Sequence, residues 1–163
     1  SVITAVDLLR GIGKYAGLKP ILVKGATGFI DTNYAGKVRA GLQALQKENF
    51  LILHVEAPDE CGHMGNAKLK IQAIEDFDAK VVRPIIAGLR KMHEPFRAII
   101  LPDHPTPVSL KTHSGEPVPF VFYDSAYERA GLPGTYSERT AKASGIFLPH
   151  GSRLVEKLIH ARF

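Results

Sequence analysis

Short apolar runs alternate along this chain with stretches in which apolar residues recur every three or four positions. That alternation builds a parallel or mostly parallel sheet flanked by helices, so the expected fold class is α/β. Pro20-Ile-Leu-Val-Lys24 and Phe50-Leu-Ile-Leu-His-Val55 read as interior strands. Ala98-Ile-Ile-Leu101 and Val118-Pro-Phe-Val-Phe-Tyr123 bring the minimum to four strands, with Pro119 making the last begin at a sheet edge or irregularly. Between them, Ile3 to Ile12 reads as a helix, as does Tyr34 to Gln46, where Val38, Leu42 and Leu45 share a face. From Asn66 to Met92 the positions Ile71, Ile74, Phe77, Val81, Ile85, Leu89 and Met92 form one stripe, and Pro84 should kink or divide that helix. Ser152 to Ile159 predicts a closing helix with Ser152 as N-cap and Leu154, Leu158 and Ile159 facing inward.

Composition changes this picture little. The 163 residues, 45% hydrophobic, can fill one core, and neither an internal repeat nor a linker divides them. The chain is too apolar for disorder and has no collagen-like repeat. No apolar run approaches the roughly 20 residues that span a bilayer, and the first residues do not read as a signal peptide, so no membrane partner is expected. A single cysteine, Cys61, makes the cytoplasm the expected compartment. The formal charge of +5 comes from 21 Lys and Arg against 16 Asp and Glu. These basic residues are scattered, without interleaved aromatics, which argues against nucleic acid and leaves an anionic small substrate or mere solubility.

Two glycine-rich stretches invite a nucleotide reading and do not support it. Gly11-Ile-Gly-Lys-Tyr-Ala-Gly17 has the spacing G-x-G-x-x-x-G and follows a helix, so its glycines are expected to end that helix in a left-handed cap. Gly25-Ala-Thr-Gly28 and Gly36-Lys37 lack phosphate-loop spacing, with Val38 where a Ser or Thr is needed, and Asp31-Thr-Asn33 reads as a turn and N-cap before Tyr34.

The chemistry gathers just after predicted strands, where α/β sheets place their ligand sites. In Glu56-Ala-Pro-Asp-Glu-Cys-Gly-His63 a Gly-containing turn is expected to set Asp59 and His63 four apart. Pro102-Asp-His-Pro-Thr-Pro107 holds Asp103 and His104 between prolines, and Lys111-Thr-His-Ser-Gly115 supplies His113. Each has an ordinary loop or capping role when taken singly. Together, two carboxylates and three imidazoles are the mixed nitrogen and oxygen set that suits Mn²⁺ or Zn²⁺. Cys61 is disfavoured as a ligand because it would share a tight turn with both Asp59 and His63. His54, His93, His150 and His160 have no carboxylate at comparable spacing and read as structural or surface residues.

In this order, Asp59-Glu-Cys-Gly-His63, Asp103-His-Pro-Thr-Pro107 and Thr112-His-Ser-Gly-Glu-Pro-Val-Pro-Phe120 resemble the C-terminal part of cofactor-independent phosphoglycerate mutases of the archaeal type, in the alkaline phosphatase superfamily. Gly25-Ala-Thr-Gly-Phe-Ile-Asp-Thr-Asn-Tyr34 resembles the archaeal-type branch in particular. The resemblance implies an alkaline phosphatase-like α/β fold in which residues 1–163 are the C-terminal part of the metalloenzyme domain. The nucleophile-bearing N-terminal part and the inserted substrate domain would lie outside them. It implies one metal held by Asp59, His63 and His113, and a second, incomplete site at Asp103 and His104. The metals would be two Mn²⁺ ions, with Zn²⁺, Co²⁺ or Mg²⁺ as substitutes, and no 2,3-bisphosphoglycerate. No catalytic nucleophile is expected among Thr27, Thr32, Ser109, Thr112 or Ser114, and substrate-binding residues are not assigned. The implied activity of the intact enzyme is interconversion of 3- and 2-phosphoglycerate through a phosphoenzyme, with a small anionic phosphate as substrate and this segment inactive alone. A homo-oligomer is compatible with it. The alternatives are another phosphoryl-transfer enzyme of the superfamily, such as a phosphatase, a phosphopentomutase or a homoserine kinase-like protein, or a non-catalytic metal-binding fragment.

Overall fold

Val2 is the centre of a small parallel array. Strand β1 (Val2–Ile3) pairs in parallel with β2 (Ile52–Leu53), Val2 opposite Ile52 and Ile3 opposite Leu53. On its other side Val2 forms a parallel bridge to Pro20, through Val2 N–H to the Lys19 carbonyl (3.0 Å) and Ile21 N–H to the Val2 carbonyl (2.9 Å). The computed structural model describes residues 1–127 and 135–160. They fall into two units: Ser1–His93 with Thr106–His113, and Glu94–Pro105 with the chain from Ser114 onward.

In the first unit, parallel neighbours require crossovers, and helices supply them. Helix α1 (Asp7–Tyr15) follows β1, and α2 (Tyr34–Leu45) precedes β2. The expected helix from Ile3 therefore begins four residues later, because Val2 and Ile3 are taken by the sheet. Pro20–Lys24 contributes a bridge and no longer strand. Helix α1 ends as expected at Gly17, whose φ of +78° suits glycine, with Leu18 N–H on the Gly13 carbonyl at 2.8 Å. Helix α2 is capped by Asn33, whose Oδ1 accepts from Gly36 N–H at 2.8 Å.

The long stripe becomes three pieces: α4 (Ala67–Phe77), a single wide π turn (Asp78–Val82) and α5 (Arg83–Arg90). Asn66 caps α4 at Leu69 N–H, and Arg83 N–H reaches back five residues to the Asp78 carbonyl, directly ahead of Pro84. Tyr34, Val38 and Val81 form one core cluster with Leu42, Leu53, Val55, Phe77 and Ile85 around them. Ala57, Cys61 and Ala73 form a second, with Phe29, Ile30, Val55 and Leu69. Val55, two residues beyond β2, packs against both and so anchors the segment that leads into the site. Lys37 is buried without exposure on α2, and its ammonium donates to the His54 carbonyl at 3.0 Å. Burial pushes its pKa below the ordinary 10.5, while nearby Glu56 opposes that shift.

In the second unit β3 (Arg97–Ile100) and β4 (Val121–Asp124) pair antiparallel, Arg97 opposite Asp124 and Ile100 opposite Val121. Between them the chain has no helix to carry a parallel crossover, so the strands run in opposite directions. The parallel arrangement thus belongs to the first unit. Helix α6 (Glu138–Ala143) is capped by Ser137, and α7 (Ser152–His160) closes the described chain. Ser152 is the first helical residue of α7, in place of the expected N-cap. Leu154 is buried and Leu158 half-buried, but Ile159 is 56% exposed and does not face inward as expected. Arg97 donates to the Leu158 and Ile159 carbonyls at 3.1 and 2.9 Å, placing a cation on the last turn of α7. Among the described residues no helix is long and apolar enough to cross a membrane.

Candidate metal centre

The segment after β2 is a helix, α3 (Ala57–His63), and not the turn its glycine suggests. Pro58 in its first turn has no N–H to lose there, and Asp59 and Glu60 add negative charge where the helix dipole favours it. Four residues apart, Asp59 and His63 lie on one face. Cys61, two residues from each, faces the core with no exposure, and burial pushes its thiol up. It is thus turned away from any cation held by its neighbours, for a reason of helical phase.

His113 completes the set from the loop at 106–113. Its Nε2 stands 3.1 Å from His63 Nε2 and 3.5 Å from Asp59 Oδ1, and His63 Nε2 is 3.2 Å from Asp59 Oδ2. The other ring nitrogen of His63, Nδ1, lies 3.0 Å from the Lys111 carbonyl. A carbonyl only accepts, so Nδ1 carries the proton, and the neutral ring then presents an Nε2 lone pair to its neighbours. A carboxylate oxygen and two imidazole nitrogens thus face one another, a grouping that a shared proton or a bound cation can bridge.

The spacing suits an ion. Two ligands each about 2.1 Å from one cation, roughly 90–110° apart, stand about 3.0–3.4 Å from each other. Asp59, His63 and His113 each offer a donor atom within 4.8 Å of the others, and His63 and His113 remain open to solvent on one side. The donor chemistry, one carboxylate and two imidazoles, fits Mn²⁺ or Zn²⁺.

A third layer of contacts supports the triad. The Thr106 hydroxyl donates to Asp59 Oδ1, and the Thr106 carbonyl accepts from Lys70 Nζ at 2.5 Å. Thr106 is 3% exposed, with its carbonyl oxygen pressed against Gly62 of α3. Lys111 holds a φ of +55°, and its N–H bonds to the Pro107 carbonyl at 2.9 Å. The sequence gives no sign of Thr106 beyond its place between two prolines.

Asp103 and His104 follow β3 and belong to the second unit. Asp103 Oδ1 accepts from His104 N–H at 3.1 Å, and Asp103 Oδ2 lies 3.5 Å from His104 Nε2. They are a pair of donors on adjacent residues, with the prolines on either side restricting their backbone.

The model for the Metalloenzyme superfamily matches residues 1–157. A probable 2,3-bisphosphoglycerate-independent phosphoglycerate mutase from Geobacter sulfurreducens is 54% identical over 160 residues, which are 98% of this chain and 40% of that protein. A 2,3-bisphosphoglycerate-independent phosphoglycerate mutase from Methanosarcina mazei is 47% identical over 159 residues, with the same coverage of 98% and 40%. Among solved structures, the PH0037 protein from Pyrococcus horikoshii superposes with a TM-score of 0.80 at 27% identity, over 98% of this chain and 47% of that one. The chain therefore spans about 40% of the length of the curated relatives it matches.

Proposed function

The chain belongs to the Metalloenzyme superfamily, and from that premise we propose that it supplies the metal-holding part of a 2,3-bisphosphoglycerate-independent phosphoglycerate mutase. Such an enzyme is an isomerase of glycolysis and gluconeogenesis, interconverting 3-phosphoglycerate and 2-phosphoglycerate. The observation that carries this reading is the convergence of Asp59, His63 and His113, the residues that the superfamily resemblance singles out. The names borne by relatives from Geobacter and Methanosarcina narrow the superfamily to the mutase.

In this reading Asp59, His63 and His113 hold one divalent cation, Mn²⁺ by preference. Asp103 and His104 offer two donors to a second, whose other ligands lie outside these 163 residues. When bound, such ions neutralise phosphoryl oxygens and lower the pKa of an attacking hydroxyl. The chain's own contribution is to bring the three donor atoms together. The Nδ1 proton of His63 is held on the Lys111 carbonyl, so its Nε2 stays available without competition from a second tautomer. In this reading the nucleophile and the inserted substrate domain, which chooses the phosphate ester, belong to the intact enzyme, and the segment alone is inactive. The substrate is a small anionic phosphate, and the compartment the cytoplasm.

An enolase-coupled assay of the intact protein that carries this chain, with Mn²⁺ present, tests the proposal. Turnover of 3-phosphoglycerate that is lost with EDTA and restored by Mn²⁺ is expected. Absence of turnover with the metal bound removes the mutase reading.

A further inference from the structure

The three donors sit on two segments, and one of those segments controls all of them. His113 is a donor of the 106–113 loop itself. Lys111, two residues earlier, fixes the tautomer of His63 through its carbonyl. Thr106, at the loop's start, donates its hydroxyl to Asp59 Oδ1. A hydroxyl can rotate, and a carboxylate on a helix can too, so this bond aims Asp59 only if Thr106 is itself held.

It is held in three ways. Its backbone carbonyl accepts a charge-assisted bond from Lys70 of α4 at 2.5 Å. Its flanking residues, Pro105 and Pro107, have fixed φ. Its Cγ2 and carbonyl oxygen pack where Gly62 leaves no side chain, so the residue is 3% exposed. A buried hydroxyl with a fixed backbone and one carboxylate oxygen in reach is a directional anchor and not a solvent-averaged contact.

We propose that Thr106 is a positioning residue of the metal triad: its hydroxyl, bonded to Oδ1 of Asp59, sets the rotation of that carboxylate so that Oδ2 faces His63 and Oδ1 faces His113. The proposal rests on the reading of Asp59, His63 and His113 as a cation site. Its consequence is a carboxylate whose orientation toward both imidazoles is fixed by the protein before any ion arrives.

The test is Mn²⁺ titration calorimetry on the intact protein, followed by the visible spectrum of its Co²⁺ form, which reports ligand geometry without turnover. Four variants are compared: H63A, T106V, T106S and T106A. Loss of the hydroxyl in T106V should weaken Mn²⁺ binding about 10- to 100-fold, the range for residues that orient metal ligands, and change the Co²⁺ spectrum. T106S keeps the donor and should stay within about 3-fold of the parent with an unchanged spectrum. Melting in EDTA checks folding, and T106A, which adds no atoms, carries the same comparison if T106V does not melt cooperatively. If H63A binds Mn²⁺ as tightly as the parent, the cation-site reading itself fails. If H63A weakens binding while T106V and T106A match the parent, that reading stands and the role of Thr106 is overturned. T106S as weak as T106A overturns it as well, since the hydroxyl is then not the agent.

Discussion

Gly62→Ala sets two effects of opposite sign against each other. In a helix interior, replacing Gly by Ala ordinarily stabilises by about 0.5–1 kcal/mol, because alanine has less chain entropy to lose. In α3 the new Cβ would stand 2.5 Å from the Thr106 carbonyl oxygen, 2.9 Å from Thr106 Cγ2 and 3.1 Å from Lys70 Nζ. The nearest of these is backbone in a loop stiffened by two prolines, and it must retreat by about 0.9 Å to reach ordinary contact at 3.4 Å. Overpacking of this kind costs about 1–3 kcal/mol, which offsets the helical gain and leaves a net change between about zero and a loss of about 2.5 kcal/mol. The same retreat draws Thr106 away from Lys70 and from Asp59, so Mn²⁺ affinity should fall at least about tenfold. Melting in EDTA reads the first effect and Mn²⁺ calorimetry the second, both on the intact protein. A variant that melts higher than the parent and binds Mn²⁺ equally well would refute the close approach and with it the idea that the loop aims the triad.

Other expectations are independent of the metal. The Tyr34 hydroxyl is buried with no hydrogen-bond partner among the described residues, and burial, with Asp76 adding to it, raises its pKa to about 12. Tyr34→Phe should therefore leave stability unchanged or raise it by about 1 kcal/mol near neutral pH, and should spare the protein the stability that the parent loses between pH 10 and 12. Urea unfolding at pH 7 and pH 11 checks both, and a loss above about 1 kcal/mol at pH 7 contradicts the unpartnered hydroxyl. The folded pKa of Lys37 lies below its unfolded value of 10.5, so the unfolded chain binds the extra proton and stability rises with pH between the two. Against Lys37→Met, which has no such proton, the parent should gain stability from pH 7 to pH 10, and a flat difference contradicts the depressed pKa. Arg97→Gln removes a cation from the last carbonyls of α7 and from Asp124, and should cost about 1–2 kcal/mol locally. Hydrogen exchange should quicken in α7 while α3 and α4 are unchanged; equal protection in α7 would count against the tether.

The parts of the fold that could be read from sequence are those decided within a few residues. Asn33 before α2 and the stripe of Phe77, Val81 and Ile85 show in the order of side chains, because capping and helical phase are local. Ile71 and Ile74, expected on the same stripe, are exposed, and α4 buries Ala73 and Asp76 instead. Strand β1 does not, because two residues carry no periodicity and Val2 becomes a strand only through Lys19 and Ile52, far along the chain. The sequence Asp59-Glu-Cys-Gly-His63 resembles a turn because Gly62 weakens the helical signal. That glycine is needed for the approach of Thr106, a fact held 44 residues away. The three triad residues were recognisable by type and order, and their convergence to 3.1–3.5 Å required the fold. Thr106 carries no chemistry of its own that pattern could flag, since a threonine hydroxyl acquires a role only from what it faces.

The wide turn at Asp78–Val82 has a consequence for rotational phase. Phe77, Val81, Ile85 and Leu89 are spaced by four, and at about 100° per residue an unbroken α-helix would carry Leu89 some 120° round from Phe77. A π turn takes up one extra residue without advancing the helix, which reduces that rotation to about 20°. One side of the rod therefore keeps a single azimuth, with Val81 in one cluster with Tyr34 and Val38, and Phe77 and Ile85 packed against that cluster. The spacing of the apolar residues, and not the proline, then demands the extra residue. Replacing Pro84 by alanine should leave the turn wide, visible as unchanged backbone carbon shifts at Asp78–Val82, because closing it would swing Ile85 out of the core.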